Sequence, residues 1–345
     1  MQAWEIVSAN GPEALALNEQ PSPEPGPGQV RVDVAASCIN YRDLITVENP
    51  EPRGIPYPMT PNSDCSGIVT AIGPDVTNVN IGERVMSCFF QNWVDGGVTP
   101  DAMASALGGA LPGVLAEQVV LSADGVISCP DYLNDDQAST LPCAALTAWH
   151  ALTRPEPVQA GDTVLLLGTG GVSIFALQFC QAMGIRTIVT SSSDEKLARS
   201  KTFGANRTIN YCATPDWETA VLDLTQGDGV DRVIEVGGPG TLQKSIAATR
   251  VGGAIQLIGI LTGAGGEIAP TDIMRKSISM RGIYVGSRTM FAEMVAFMTT
   301  HRIAPVIDEI FKFNDAREAF KRMRTATHFG KLVIRVNSDS PRRSG

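Results

Sequence analysis

Residues 163–167, Thr-Val-Leu-Leu-Leu, run without a break into Gly168-Thr169-Gly170-Gly171-Val172-Ser173, and beyond that turn the apolar residues take up helical spacing as far as residue 183. A short run with no polar alternation fits a strand covered on both faces. Strand, glycine turn and helix in that order constrain the fold strongly, because a buried parallel strand must be shielded by helices on both sides. The sequence that follows repeats the pattern. Residues 187–190, 208–210, 230–236 and 254–260 read as strands, and residues 194–203, 216–225 and 241–250 as the helices between them. The predicted fold class is therefore α/β, built on a doubly wound parallel sheet.

The same turn points to a ligand. Glycines between a strand and a helix let the backbone amides of the helix start face a pyrophosphate with no side chain in the way. Gly168, Thr169, Gly170, Gly171 and Val172 are the residues predicted to hold it, and Ser173 is small enough to replace the third glycine of the usual pattern. About 20 residues further on, a protein selecting NAD places an acid on the ribose hydroxyls. Here the sequence is Ser191-Ser192-Ser193. Hydroxyls can donate to a 2′-phosphate and Lys196 can neutralise it, so the expected cofactor is NADPH. Asp194 and Glu195 fit instead the start of the next helix, as cap and dipole partners.

Length and charge narrow the remaining classes. A chain of 345 residues favours two domains over one. With 27 basic and 36 acidic residues its formal net charge is −9, a field that repels phosphate backbones and anionic lipid. Nucleic acid and membrane partners are not expected, and no apolar run reaches the roughly 18 residues that span a bilayer. The expectation is a soluble, cytoplasmic protein. Its seven cysteines form no Cys-x-x-Cys pair, which argues against a disulfide framework and against a cysteine-only structural zinc site. They read as small, mostly buried hydrophobes.

Upstream of the sheet, residues 29–35, 67–72 and 117–121 are β-branched runs broken by Pro and Gly, as in a twisted or barrel-like unit. Residues 21–28 carry four prolines and two glycines and read as a loop, residues 92–115 as a long surface loop, and residues 138–152 as a helix stopped by Pro155. Downstream, helices are expected near residues 291–300 and 315–323, a strand at 331–336, and a frayed polar tail over 337–345.

With these segments placed, the whole chain resembles the medium-chain dehydrogenase/reductase superfamily, the zinc alcohol dehydrogenase and quinone oxidoreductase relatives. Asn40-Tyr41-Arg42-Asp43-Leu44, Pro61-Asn62-Ser63-Asp64-Cys65-Ser66-Gly67, Gly82-Glu83-Arg84-Val85 and the stretch from Leu141 to Trp149 carry the likeness together with the nucleotide turn. The resemblance implies a Rossmann domain inserted in a discontinuous, mostly β, GroES-like catalytic domain, with the active site in the cleft. The corresponding limits are 1–127 and 287–345 for the catalytic part and 128–286 for the nucleotide part.

Zinc-using members carry Cys where this chain has Asn40 and Gly-His-Glu where it has Asn62-Ser63-Asp64. Neutral amide and hydroxyl oxygens are poor substitutes for thiolate and imidazole, so no metal is expected. Residues 92–115, where the relatives' structural zinc lobe falls, contain no cysteine. By resemblance, Asn40 faces the nicotinamide side and Tyr41 is either a proton donor or a core-packing ring. Ser63 occupies the former metal corner with Asp64, and Tyr57 is a second phenol candidate. Gly259, Val285 and Ser287 are expected near the carboxamide. Tyr211 and Lys331 either approach the cofactor or have ordinary surface roles. The edge at residues 279–285 resembles the one that pairs subunits, implying a homodimer.

Without a Lewis acid, oxidation of a simple alcohol loses its main electrostatic support. Hydride addition to a C=C bond conjugated to a carbonyl gives instead a delocalised enolate that hydrogen-bond donors can hold. The leading expectation is an NADPH-dependent, zinc-independent reductase of an activated alkene or quinone acting on a small molecule. Two others stay open: a carbonyl or alcohol oxidoreductase that uses hydrogen bonds in place of zinc, and a non-catalytic NADPH-binding protein.

Overall fold

The computed structural model describes residues 1–263 and 265–337, so all but the first residue of the expected polar tail lies outside the described residues. Two units are distinguished, Met1–Leu146 with Val285–Gly345, and Thr147–Tyr284.

In the first unit, alternation of β-branched residues builds a seven-stranded sheet around the long strand Gln29–Ile39. Strand Asp64–Ile72 pairs with it antiparallel, and on its other side it pairs with Gln118–Ser122 and Lys331–Arg335 at different registers. Pairing with Asp64–Ile72 shifts register between Val34 and Ala36, where Gly67 lies so close that a side-chain carbon would fall 2.2 Å from Asp33 O. Glycine is required there by the bulge. Helix Ala316–Arg324 buries Ala316, Ala319, Phe320 and Met323, one face at helical spacing, against Ile39, Leu44, Leu332 and Ile334. Strand Ile307–Lys312, parallel to Lys331–Arg335, was not foreseen in the sequence.

Two expectations need correction. Residues 92–115 are a surface segment only in part: 94–101 are exposed, but Trp93, Ala102, Leu107, Val114 and Leu115 are buried and residues Pro100–Met103 form a short helix. Glycines let this stretch close onto the preceding backbone: a side-chain carbon at Gly113 would lie 2.1 Å from Pro61 O. The helix expected over 138–152 is broken into Asp135–Ala138, a π-helical turn at Leu141–Ala145, and Leu146–Thr153. Pro142 has no N–H to give to an α-helical ladder, so the regular helix cannot run through it.

The second unit is a six-stranded parallel sheet in the order Arg207–Asn210, Arg186–Ser191, Thr163–Leu167, Val230–Glu235, Thr249–Leu257, Ser279–Gly282. The chain starts in the middle, walks to one edge, then returns to continue on the other side. The order therefore reverses between Thr163–Leu167 and Val230–Glu235, the switch point at which such sheets open a crevice at their carboxyl ends. Leu165, Ile188, Val233, Ile246 and Ile255 are in its core, as the apolar runs predict. This is the α/β Rossmann sheet expected from the sequence, alongside a GroES-like unit. No helix among the described residues is long and apolar enough to cross a membrane.

Candidate active site

The glycine turn sits at the carboxyl end of Thr163–Leu167 and opens helix Gly171–Met183. Gly168 has φ +72°, and a side-chain carbon added at Gly168 or Gly170 would meet no protein atom within 4 Å. The space before the helix start is open, and the first amides of a helix have no partners within it. Ser173 is buried, and its hydroxyl donates to Leu167 O at 2.7 Å. That bond explains how serine replaces the third glycine: its one polar atom is satisfied on the strand against which the helix packs. Thr169 is buried and Val172 half-buried beside it.

At the end of the neighbouring strand, Ser191 is buried and its Oγ accepts from Ser193 N, while Ser192 is exposed. Ser193, and not Asp194, caps helix Asp194–Thr202 by accepting from Lys196 N at 3.3 Å. Asp194 is the first helical residue and accepts from Asn210 Nδ2 at 2.8 Å. Lys196 stands half-buried in the first turn. Tyr211 N donates to Ser191 O at 3.1 Å and its ring is exposed. Ser191, Ser192, Lys196 and Tyr211 thus gather at one corner of this unit. Gly259 follows Thr249–Leu257 on the other side of the switch point, with no room for a side chain beside Val236 O.

The first unit holds the other predicted residues. Asn40 ends the long strand and starts helix Tyr41–Glu48, and its backbone N donates to Asp43 Oδ2 at 2.8 Å. Tyr41, as the first residue of that helix, is 38% exposed, so it is not a core-packing ring. Tyr57 is exposed as well. Ser63 and Asp64 are fully buried; the Ser63 hydroxyl donates to Asp64 Oδ1 at 2.5 Å and Cys143 N to Asp64 Oδ2 at 3.0 Å. Lys331 is only 3% exposed, which excludes a surface role. Its ammonium donates to Ile39 O at 2.9 Å and to Asn40 Oδ1 at 2.5 Å. Asn40 Nδ2 is buried and makes no hydrogen bond among the described residues, though it lies near enough to the Asp64 carboxyl to lower its pKa. Val285 is buried with φ +54°, and the Ser287 hydroxyl caps helix Arg288–His301 by accepting from Met290 N.

Burial pushes the Asp64 carboxyl up to about 6, opposed by the charge of Lys331 and assisted by that of Asp43. Burial works against the Lys331 ammonium too, but the groups around it, Asp64 and Asp43 among them, outweigh that and raise its pKa. Burial also pushes the Cys38 and Cys65 thiols up to about 12 and the Cys143 thiol well above its ordinary value, so none of the three is a ready thiolate. Cys212 departs from the buried pattern expected of the cysteines and is exposed.

Two functional features escaped the sequence reading. One is the Lys331–Asn40 bond, which joins residues far apart in the chain and has no local signature. The other is Glu235, a fully buried acid that follows the apolar pair Val233-Ile234 at the end of its strand, just before Gly237-Gly238. An acid in that position was the available signal, since a carboxylate is rarely buried without donors converging on it.

The alcohol dehydrogenase GroES-like domain model matches residues 26–131 and the zinc-binding dehydrogenase model residues 171–300. A zinc-type alcohol dehydrogenase-like protein of Schizosaccharomyces pombe is 42% identical over 317 residues, covering 90% of this chain and 92% of the relative. A solved NAD-dependent alcohol dehydrogenase is similar over 98% of this chain and 100% of its own, with 30% identity and a TM-score of 0.89. The quinone oxidoreductase from Coxiella burnetii is similar over 98% and 99%, with 28% identity and a TM-score of 0.79.

Proposed function

The chain belongs to the medium-chain dehydrogenase/reductase superfamily of oxidoreductases, and from that premise we propose that it is an NADPH-dependent, zinc-independent reductase of C=C bonds conjugated to a carbonyl, as in enones, enoyl groups or quinones. One observation carries the reading: the corner that zinc-using relatives furnish with metal ligands holds Asn40 and Ser63, and a buried Lys331 ammonium is hydrogen-bonded to Asn40. A fixed cation in contact with that amide is a poor neighbour for Zn²⁺, and neutral Asn and Ser oxygens are weak ligands for it. Among the described residues no group of three or more His, Cys, Asp or Glu side chains could hold a metal.

NADPH bound over the glycine turn supplies a hydride. The open space at Gly168 and Gly170 fits its pyrophosphate, with Thr169, Gly171 and Val172 completing the turn that would hold it. Ser191, Ser192 and Lys196 fit a 2′-phosphate, and Tyr211 borders the same corner. Asn40, held by Lys331, marks the corner where the substrate carbonyl oxygen would lie, whose negative charge grows as the double bond accepts hydride. Tyr41, accessible at its helix start, gives the proton that completes reduction at carbon. Ser63 holds Asp64 in place. Gly259 and Val285 offer backbone groups to the carboxamide. Lys331 and Ser287 serve at one remove, by orienting Asn40 and by capping a helix.

Initial rates of NADPH oxidation with a cyclic enone and with its saturated ketone test this. Acceleration by the enone alone is the expected result. Acceleration by the ketone supports a second reading, a carbonyl or alcohol oxidoreductase, which the alcohol dehydrogenase names of the relatives favour. Strand Ser279–Gly282 ends the parallel sheet, and we assign it to a homodimer contact, checked by the mass of the protein in solution.

A further inference from the structure

Glu235 lies at the carboxyl end of Val230–Glu235, the strand next to the switch point on the side away from Ser191 and Lys196. It is fully buried. Its Oε1 accepts from Gly237 N at 2.7 Å, Gly238 N at 3.0 Å and the Thr241 hydroxyl at 2.6 Å, and its Oε2 accepts from the Ser245 hydroxyl. Its backbone carbonyl accepts from Ile258 N and Gly259 N. One residue therefore ties down the chain that leaves its own strand and the chain that leaves the adjacent strand Thr249–Leu257.

The two segments are sealed together by further bonds. Thr262 donates to Gly237 O through both its N and its hydroxyl, each at 2.8 Å, and Gly240 N donates to Thr262 Oγ1 at 2.8 Å. There is no space for side chains between them: a side-chain carbon would lie 2.0 Å from Val236 O at Gly259 and 3.0 Å from Gly259 O at Gly238. The result is a wall made of backbone.

We propose that Glu235 is a positioning residue that sets this wall against the nicotinamide half of the cofactor. The inference rests on the cofactor reading above and extends it. The glycine turn ends the central strand Thr163–Leu167, and a dinucleotide laid over it spreads to both sides of the switch point. The hydroxyls and lysine suited to a 2′-phosphate lie over Arg186–Ser191, so the adenosine half goes to that side and the nicotinamide half to the side that Glu235 builds. Backbone amides and carbonyls recognise a carboxamide only if they are held still. Four donors on one carboxylate hold them.

The test is fluorescence titration of NADPH and competitive titration of the adenosine 2′,5′-bisphosphate fragment, on wild type, Glu235→Ala, Glu235→Gln and Thr241→Val. Loss of the carboxylate leaves buried donors unpaired, and NADPH is expected to bind about tenfold or more weakly to Glu235→Ala while the fragment keeps its affinity. Glu235→Gln should recover most of the loss, because its oxygen can face the two amides and its NH₂ can donate to the Ser245 oxygen. Should Glu235→Ala fail to fold, Thr241→Val, which releases only one donor, decides by the same pair of titrations. Equal losses for NADPH and fragment, or no loss for either, overturn the proposal. A wild type that binds neither overturns the cofactor reading along with it, whereas a wild type that binds both and variants that match it overturn the role of Glu235 alone.

Discussion

The buried ammonium of Lys331 donates to Asn40 Oδ1 at 2.5 Å, and this bond fixes which end of the Asn40 amide is left to donate. An ammonium has no acceptor, so the amide oxygen must face it and Nδ2 must turn the other way. The ammonium also faces Asp64 and Asp43, whose charges raise its pKa against the cost of burial. Replacing Lys331 with Met keeps the length of the stem but leaves Asp64 and Asp43 without the nearby ammonium, Asp43 keeping its ion pair with Arg42. Removing the ammonium also leaves the buried Ile39 and Asn40 oxygens unpaired, a loss of about 1–3 kcal/mol to be read from urea denaturation at neutral pH. A loss below about 1 kcal/mol would show that the ammonium compensates neither those oxygens nor those acids.

Tyr41 separates chemistry from stability. It is the first residue of its helix and exposed, so Tyr41→Phe should leave unfolding free energy within about 0.5 kcal/mol of wild type. If its phenol supplies the proton, turnover should fall about a hundredfold with NADPH affinity kept. Turnover equal to wild type removes Tyr41 from the mechanism.

The difference between what was legible in the chain and what was not follows the range of the interactions. Thr163–Leu167 and the helix after Gly170 were readable because a buried parallel strand and a glycine turn are local patterns, written in consecutive residues. The helix over 138–152 was misread because apolar spacing persists through Pro142 while the backbone cannot. Residues 92–115 looked like a surface loop throughout because their buried members follow no period: Leu107 and Val114 join the core cluster around Val32 and Val69, and Trp93 packs edge-on against Phe90. In the candidate site, the identity of Asn40, Tyr41 and Ser63 could be read directly, but not the bond from Lys331, which comes from a strand 291 positions away. The cap of the helix Asp194–Thr202 was read as Asp194 and is the neighbouring Ser193, one residue away, because an aspartate and a serine offer the same kind of acceptor to the first amides.

Lys196 tests the choice between cofactors. Its backbone N is already engaged with Ser193, which roots it in the first helical turn beside Ser191 and Ser192. A charge-assisted bond to a phosphate contributes roughly 1.5–3 kcal/mol, so Lys196→Ala should weaken NADPH by about ten- to a hundredfold. NADH, which lacks the 2′-phosphate, should bind as before. Parallel titrations of the two cofactors decide it, and equal losses would contradict the phosphate role.

Asp64 gives the fold a pH dependence of predictable sign. Burial raises its carboxyl to about 6, above the ordinary 3.8 that it recovers on unfolding. Between those values the folded protein keeps a proton that the unfolded chain has released, so stability falls as pH rises through the window and levels off above it. The shift corresponds to about 3 kcal/mol at most. Asn cannot ionise, yet its oxygen can still accept the bond that Ser63 or Cys143 donates. Relative to wild type, Asp64→Asn should therefore gain stability from about pH 4 to pH 6 and stay level from there to about pH 8, in urea titrations made across that range. A difference that does not change with pH would mean that the Asp64 carboxyl ionises alike in both states, and that Lys331 and the hydrogen-bond donors fully offset its burial.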